Sequence, residues 1–271
     1  HDTIAAVAHE RIELLSAEAT RLTTGASLVG TPVNAPALAE KLGIPSGQLT
    51  SIVAELTAAQ IMAERPAGGY LQFVHDSIEE AARSLGKRER SVRTGAAQFL
   101  LAAGRRGGHR ATRRAAELIM ETNEAVLPPD DRDWILLTAA RDSLEALAPH
   151  DALDIVERSD GIGDPAVRVS IGHVGHEAAY LLGDHRRMSH FYRRIVAEGS
   201  ELDRAQALYM WIRRNYADAR FTSAARITSR ILDTLEVLDP RLSWFSGTDE
   251  AVKRLSKSGP ERWLRRVIAR G

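Results

Sequence analysis

Apolar residues recur every three to four positions along most of the chain, beginning with Ile12, Leu14, Leu15, Ala19 and Leu22. That spacing winds an apolar stripe around a 3.6-residue helix, so nearly everything is predicted helical. Gly and Pro clusters at 30–32, 43–45, 66–69, 104–108, 128–129, 161–165 and 239–240 punctuate the pattern. The intervals between them suit helices of roughly 10–20 residues. Sheet is predicted in one place. Residues 61–65 and 70–74 are short apolar runs around Pro66-Ala67-Gly68-Gly69, the signature of a hairpin. Two helices, over 35–42 and 48–59, precede it and are joined by Gly43-Ile44-Pro45-Ser46. Helix, tight turn, helix and two-stranded wing is the winged-helix order, here spanning roughly 8–75.

A second period emerges beyond residue 100. Ala116, Ala152, Met188 and Ala224 stand 36 residues apart, each in the predicted second helix of a helical hairpin. Residues 184–192 look like the middle of a tetratricopeptide (TPR) repeat, with Gly183 at its turn, and 221–231 and 149–156 repeat the pattern. Predicted first helices align as the columns Leu137/His173/Tyr209, Arg141/Glu177/Arg213 and Leu144/Tyr180/Tyr216. Helix pairs of this length stack into solenoids. The expected fold is therefore all-α, a winged helix with a small β-hairpin followed by a TPR-like α-solenoid. The expected domains are 1–82 and 83–271, the latter ending in a basic segment around Trp244, Phe245 and Trp263.

Composition narrows the chemistry. The 271 residues contain no cysteine, which excludes disulfides, thiolate metal sites and cysteine nucleophiles. No run of about 18 apolar residues occurs, and His1-Asp2 begins no basic-then-apolar leader, so the expected location is cytoplasmic. Net charge is zero, but unevenly so: residues 1–82 sum to −6, 83–114 to +9, 115–164 to −10 and 165–271 to +7. Blocks of opposite sign imply faces that meet each other or charged partners.

The usual catalytic and nucleotide motifs are missing. There is no Gly-x-x-x-x-Gly-Lys loop, and the four lysines, Lys41, Lys87, Lys253 and Lys257, follow no glycine-rich strand-to-helix turn. Asp164-Pro165 breaks the dinucleotide pattern at Gly161-Ile162-Gly163. No Gly-x-Ser-x-Gly elbow occurs, and the acidic pairs Asp130-Asp131 and Asp249-Glu250 suit helix starts. The expectation is a non-enzyme without cofactor.

The predicted recognition helix, 48–59, has no Lys or Arg and carries Glu55, while the wing offers only Arg65. Phosphate neutralisation dominates DNA affinity, so this element reads as a protein-contact module and argues against direct nucleic-acid contact. The basic stretch is open to two readings. Arg105, Arg106 and Arg110, in a stretch that also holds Arg83, Lys87, Arg88, Arg90, Arg93, Arg113 and Arg114, are candidates for phosphate or partner contact, or else form solvated faces that pair with the acidic block 115–164. His173, His176, His185 and His190 cluster within 18 residues. His173, His176 and Glu177 share a helix face, where packing or surface roles compete with metal ligation, and no metal site is assigned. The repeats themselves build the leading candidate site. Arg141, His173, Glu177, Tyr180, Tyr209, Arg213 and Tyr216 line up across stacked first helices as a ligand- or partner-binding groove, the alternative being inter-helix packing with an ion ladder.

Residues 10–100 resemble the winged-helix segment that follows the ATPase core in LuxR-type, MalT-like signalling ATPases of the STAND class. The resemblance is carried by 10–16, by Leu28-Val29-Gly30 ahead of 38–43, and by Leu56 to Met62 entering the hairpin. It continues through the Phe-x-His element at 70–76, the helix at 78–82, and Arg88-Glu89-Arg90 with 96–100. Arg93 stands where that last helix often carries His. The resemblance implies an α-solenoid that senses an inducer or partner protein, with an ATPase core before it and often a DNA-binding helix-turn-helix after it in one polypeptide. The expected function is the regulatory and sensor fragment of such a regulator. The alternatives are a stand-alone TPR-like interaction scaffold and a DNA-binding winged-helix protein.

Overall fold

The structure is a computed structural model that describes residues 2–66, 68–122, 126–159 and 164–218, without the side chains of 2–6, Thr122, Glu201 and Tyr216. It is mostly helical, with twelve α-helices and one three-stranded sheet among the described residues. The all-α expectation holds at that level. The expected repeat at 221–231 and the basic segment around Trp244 and Trp263 lie outside the described residues.

The chain divides into two compact units, 1–139 and 140–271. The first opens with α1 (Asp2–Glu13) and α2 (Ala17–Val29). Strand β1 (Val33–Asn34), α3 (Ala35–Lys41), a 3-10 turn at Ser46–Gln48 and α4 (Leu49–Ala58) follow. The hairpin β2 (Met62–Glu64) and β3 (Tyr70–Phe73) then leads into α5 (Asp76–Gly86), α6 (Arg90–Arg105) and α7 (His109–Thr122). The sheet is antiparallel in the order β1-β3-β2, with Val33 opposite Leu71 and Met62 opposite Phe73. Strand β1 is the one strand the sequence pattern did not predict. At two residues it is too short to show any alternation, and pairing with β3 defines it.

Local signals set the helix starts. The Ser16 hydroxyl accepts from Ala19 N, and the Asn34 side chain accepts from Ala37 N at 3.0 Å with Pro36 in the first turn. Helix α2 is the centre of this unit, packing against α3, α4, α5, α6 and α7. Buried Leu22, Leu28, Leu38, Leu56, Leu71 and Leu100 supply the core. Leu42 wedges between two glycines: a Cβ at Gly25 or at Gly95 would come within 2.8 Å of its side chain. Larger residues there would push α2 and α6 away from it. The expected domain boundary after residue 82 falls inside α5, and α6 and α7 continue the packing on α2.

The division between the units falls inside α8 (Pro129–Glu145). Beyond it run α9 (Pro149–Arg158), α10 (Pro165–Leu182), α11 (His185–Glu198) and α12 (Glu201–Ala217). Helices α8, α10 and α12 begin at 129, 165 and 201, and α9 and α11 at 149 and 185, so corresponding starts are 36 residues apart. In the second unit α10 packs on α9, α11 and α12. Asp164 caps α10 through Val167 N at 2.9 Å, and Asp184 caps α11 through Arg187 N at 3.0 Å. Gly183 ends α10 in the left-handed region at φ 71°, as a turn glycine should. Gly175 sits at a tight crossing. A Cβ there would come within 2.8 Å of both Phe191 and Val156, so only a glycine lets α9 and α11 close on α10 this far.

Candidate functional site

Three of the seven groove residues come together in the second unit. The Arg213 guanidinium of α12 lies over the Tyr180 ring of α10 at 5.2 Å and over the Tyr209 ring at 5.9 Å. Both distances are within cation–π range. Glu177, one turn before Tyr180, is exposed and makes no ion pair among the described residues. Arg141 is exposed on α8, and the three members of its column, Arg141, Glu177 and Arg213, are not linked as an ion ladder. Tyr216 lies in α12, and its side chain is outside the described set.

His173 reaches a carboxylate on the next first helix. Its Nε2 lies 3.3 Å from Asp203 Oδ1 on α12. Asp203 also closes a reciprocal cap with Ser200, accepting from Ser200 N at 2.8 Å while its own N–H donates to Ser200 Oγ. The Ser200 hydroxyl bond, more than His173, holds the Asp203 carboxyl below the usual carboxylate range. The capping role of Asp203 was legible from its place at a helix start. Its contact with α10 was not.

His176 is the most unusual side chain in this unit. It is 1 % exposed, and neither ring nitrogen has a hydrogen-bond partner. Burial, helped by neighbouring His173, lowers its pKa to about 4, so the imidazole is neutral at pH 7. Its ring lies 6.4 Å from Trp211 of α12, and His185 stacks on the same indole at 5.9 Å. His185 Nε2 is in turn 3.3 Å from Asp218 Oδ2, which also accepts from Arg214. His190 packs edge-on against Phe191 at 5.2 Å. No group of three or more His, Asp or Glu among the described residues could hold a metal ion.

A cleft of about 500 Å³ opens beside α9 and α11 in the same unit. Arg187 there donates to Glu157 at 2.6 Å and also pairs with Asp184 at 3.2 Å. The Arg187 backbone N–H, the first of several bonds to the Asp184 carboxyl, keeps that group acidic.

In the first unit the structure separates the three basic candidates. Arg105 pairs with Asp131, and its guanidinium lies 5.8 Å from the Trp134 ring. Arg106 is exposed at the end of α6. Arg110 is exposed on α7 beside a cleft that also contains Arg83, Arg113 and Arg114. Several basic residues do meet the acidic block that follows them, as Lys87–Glu121 at 2.7 Å and Arg114–Glu117 at 2.7 Å show. Arg93 is buried and donates to the Lys87 carbonyl at the end of α5.

Helix α4 has a different electrostatic setting from a DNA-reading helix. Glu55 accepts from Ser16 N at 2.6 Å and from Ser16 Oγ at 2.7 Å, which ties it to the start of α2. Arg65 on the hairpin is spent on Gln72 Oε1 at 2.8 Å. Comparison with protein-family models, with curated proteins and with solved structures finds no match to this chain.

No helix among the described residues is long and apolar enough to cross a membrane.

Proposed function

We propose that the chain is the regulatory and sensor portion of a LuxR-type STAND regulator, acting in the cytoplasm without catalysis of its own. The winged-helix reading of 1–82 is supported by the order α2-β1-α3-α4-β2-β3 and by the strand order β1-β3-β2. The TPR-like reading is supported by helix starts repeating every 36 residues and by α10 packing on α12 as well as on its immediate neighbours. The observation that carries the sensor role is the meeting of Tyr180, Tyr209 and Arg213 across α10 and α12. Two aromatic rings holding a guanidinium, with exposed Glu177 one turn away, offer an inducer or partner protein apolar faces and both signs of charge. Binding there shifts the repeat packing, and the differential contact between the two packings drives the switch. The ATPase core and the DNA-binding domain of a longer polypeptide are the partners that would receive it.

A thermal-shift screen of small ligands against the full chain tests the reading. The expected hit stabilises the wild type and loses its effect when Arg141→Ala, Glu177→Ala and Arg213→Ala are combined. A hit that stabilises the triple variant equally would overturn the groove. A nucleotide-binding loop encoded before residue 1, or a helix-turn-helix after residue 271, favours the regulator over a stand-alone TPR-like scaffold. DNA binding by the winged helix is the weaker alternative. Helix α4 has no cation, and the engagement of Glu55 and Arg65 favours a protein-contact role.

A further inference from the structure

Helices α9 and α11 lie level with one another against α10. A Cβ on Gly175 would come within 2.8 Å of Val156 on one and of Phe191 on the other, and the two helices begin 36 residues apart, at 149 and 185. Residues at that offset therefore share a level, and their charge reverses across it. His150, Asp154 and Glu157 are exposed on α9, and the exposed residues at the same levels of α11 are Arg186, His190 and Arg193. Asp151 stands level with Arg187 in the same way. One helix shows an acidic stripe and its neighbour a basic one.

The stripes run side by side, and both remain exposed. Asp154 pairs with Arg158 of its own helix at 3.3 Å, and Arg193 Nε donates to the Ser189 carbonyl of its own helix at 3.2 Å. Arg186 and His190 form no ion pair among the described residues. Arg187 reaches across to Glu157 over the cleft of about 500 Å³ between the stripes.

We propose that this face binds a second copy of the chain. A twofold axis parallel to the two helices, above the cleft between them, lays α9 of one protomer along α11 of the other. Residues of one level then face each other across the interface. Asp154 meets the partner's His190, Glu157 the partner's Arg193 and Asp151 the partner's Arg187, and the symmetry repeats each pair. An axis running across the helices instead would set α9 on α9 and α11 on α11, like charge on like. The charge pattern thus selects one of the two face-to-face arrangements. Nucleic acid fits less well, because Glu157 borders the same cleft as Arg186 and Arg187 and repels phosphate. Exposed charge pairs are individually weak, so the dimer is reversible and sensitive to salt.

Sedimentation velocity on the full chain over a range of concentrations tests this. The wild type is expected to dimerise at low ionic strength, with association weakened about ten-fold in ~0.5 M salt. Asp154→Lys with Glu157→Lys makes both stripes basic, and His190→Glu with Arg193→Glu makes both acidic. Each double variant alone is expected to be monomeric, with its melting temperature unchanged because all four positions are exposed. An equimolar mixture of the two is expected to dimerise again, since every facing pair is then of opposite sign. A wild type that stays monomeric overturns the proposal, as does a dimer that persists in either variant. Loss of the dimer in both variants without recovery on mixing also overturns it. So does a monomeric wild type that binds a duplex oligonucleotide through Arg186 and Arg193, which would make the face a polyanion surface. No ligand is needed, and the sensor residues Arg141, Glu177 and Arg213 are untouched, so the outcome is separable from the sensor reading.

Discussion

The two units satisfy their charged side chains over different distances along the sequence. In the first, Arg83 and Arg114 reach carbonyls 56 and 86 positions away, and Glu55 reaches Ser16 across 39. In the second, Arg187–Glu157, Arg168–Glu198 and His173–Asp203 each span 30 positions. A fixed offset is what a stack of like elements produces, since every helix meets only its near neighbours. Long and unequal offsets belong to a body in which early and late segments must be assembled together. The first unit is thus expected to open as a whole, and the second to open locally, helix by helix.

The largest test of that contrast is Phe191→Ala. Phe191 is 1 % exposed and fills the space left by Gly175, so its loss should destabilise the second unit by about 3–5 kcal/mol. Hydrogen exchange should show lost protection across α10 and α11 with α2 to α6 unchanged. Equal loss in both regions would mean that the two units unfold as one.

Acid sharpens the comparison next. Above pH 6.5 the His176 imidazole is neutral in the folded and unfolded chains alike. As pH falls toward 4 the unfolded chain takes up the proton and the folded one, with its pKa near 4, does not. The second unit then loses up to about 3 kcal/mol across that window. Urea melts of wild type and His176→Leu at pH 7 and pH 4.5 should diverge by most of that amount on acidification. Parallel losses would show that His176 does not resist protonation.

Arg114→Leu tests the long-range closure of the first unit. It leaves the Leu28 carbonyl without its donor, at a cost of about 1–3 kcal/mol. Exchange should speed up throughout α2, α5 and α6 together; faster exchange confined to α7 would contradict whole-body opening. Arg187→Ala is the smallest. Arg187 is 45 % exposed in its pair with Glu157, and solvent screening limits the loss to roughly 0.2–1 kcal/mol. A chemical-denaturation shift much above that range would show the pair to be a local strut of the second unit.

Much of this was legible in the chain because it is local. The helices, the hairpin around Gly68 and Gly69, the caps at Asp164 and Asp184 and the turn at Gly183 all follow from residues within a few positions of one another. The 36-residue period was also visible, because buried apolar positions such as Ala116, Ala152 and Met188 recur at that interval. What remained hidden depends on contacts between distant segments. Nothing near Arg83 or Arg114 tells that they close α2, and nothing near Glu55 tells that it binds Ser16. The site was partly readable for the same reason. Tyr180, Tyr209 and Arg213 were aligned by period alone, whereas Asp203 and Trp211 became neighbours of the histidines only through the packing of α12 on α10.

Trp211, with buried His176 on one side and stacked His185 on the other, is also a natural optical gauge. A protonated imidazole draws excited-state electron density from an adjacent indole and dims its emission. In a chain whose other tryptophans, Trp134, Trp244 and Trp263, are replaced by Phe, emission intensity would report the charge on buried His176. Its quenching belongs to the acid end, so one lamp and one pH ramp would follow that ring in solution.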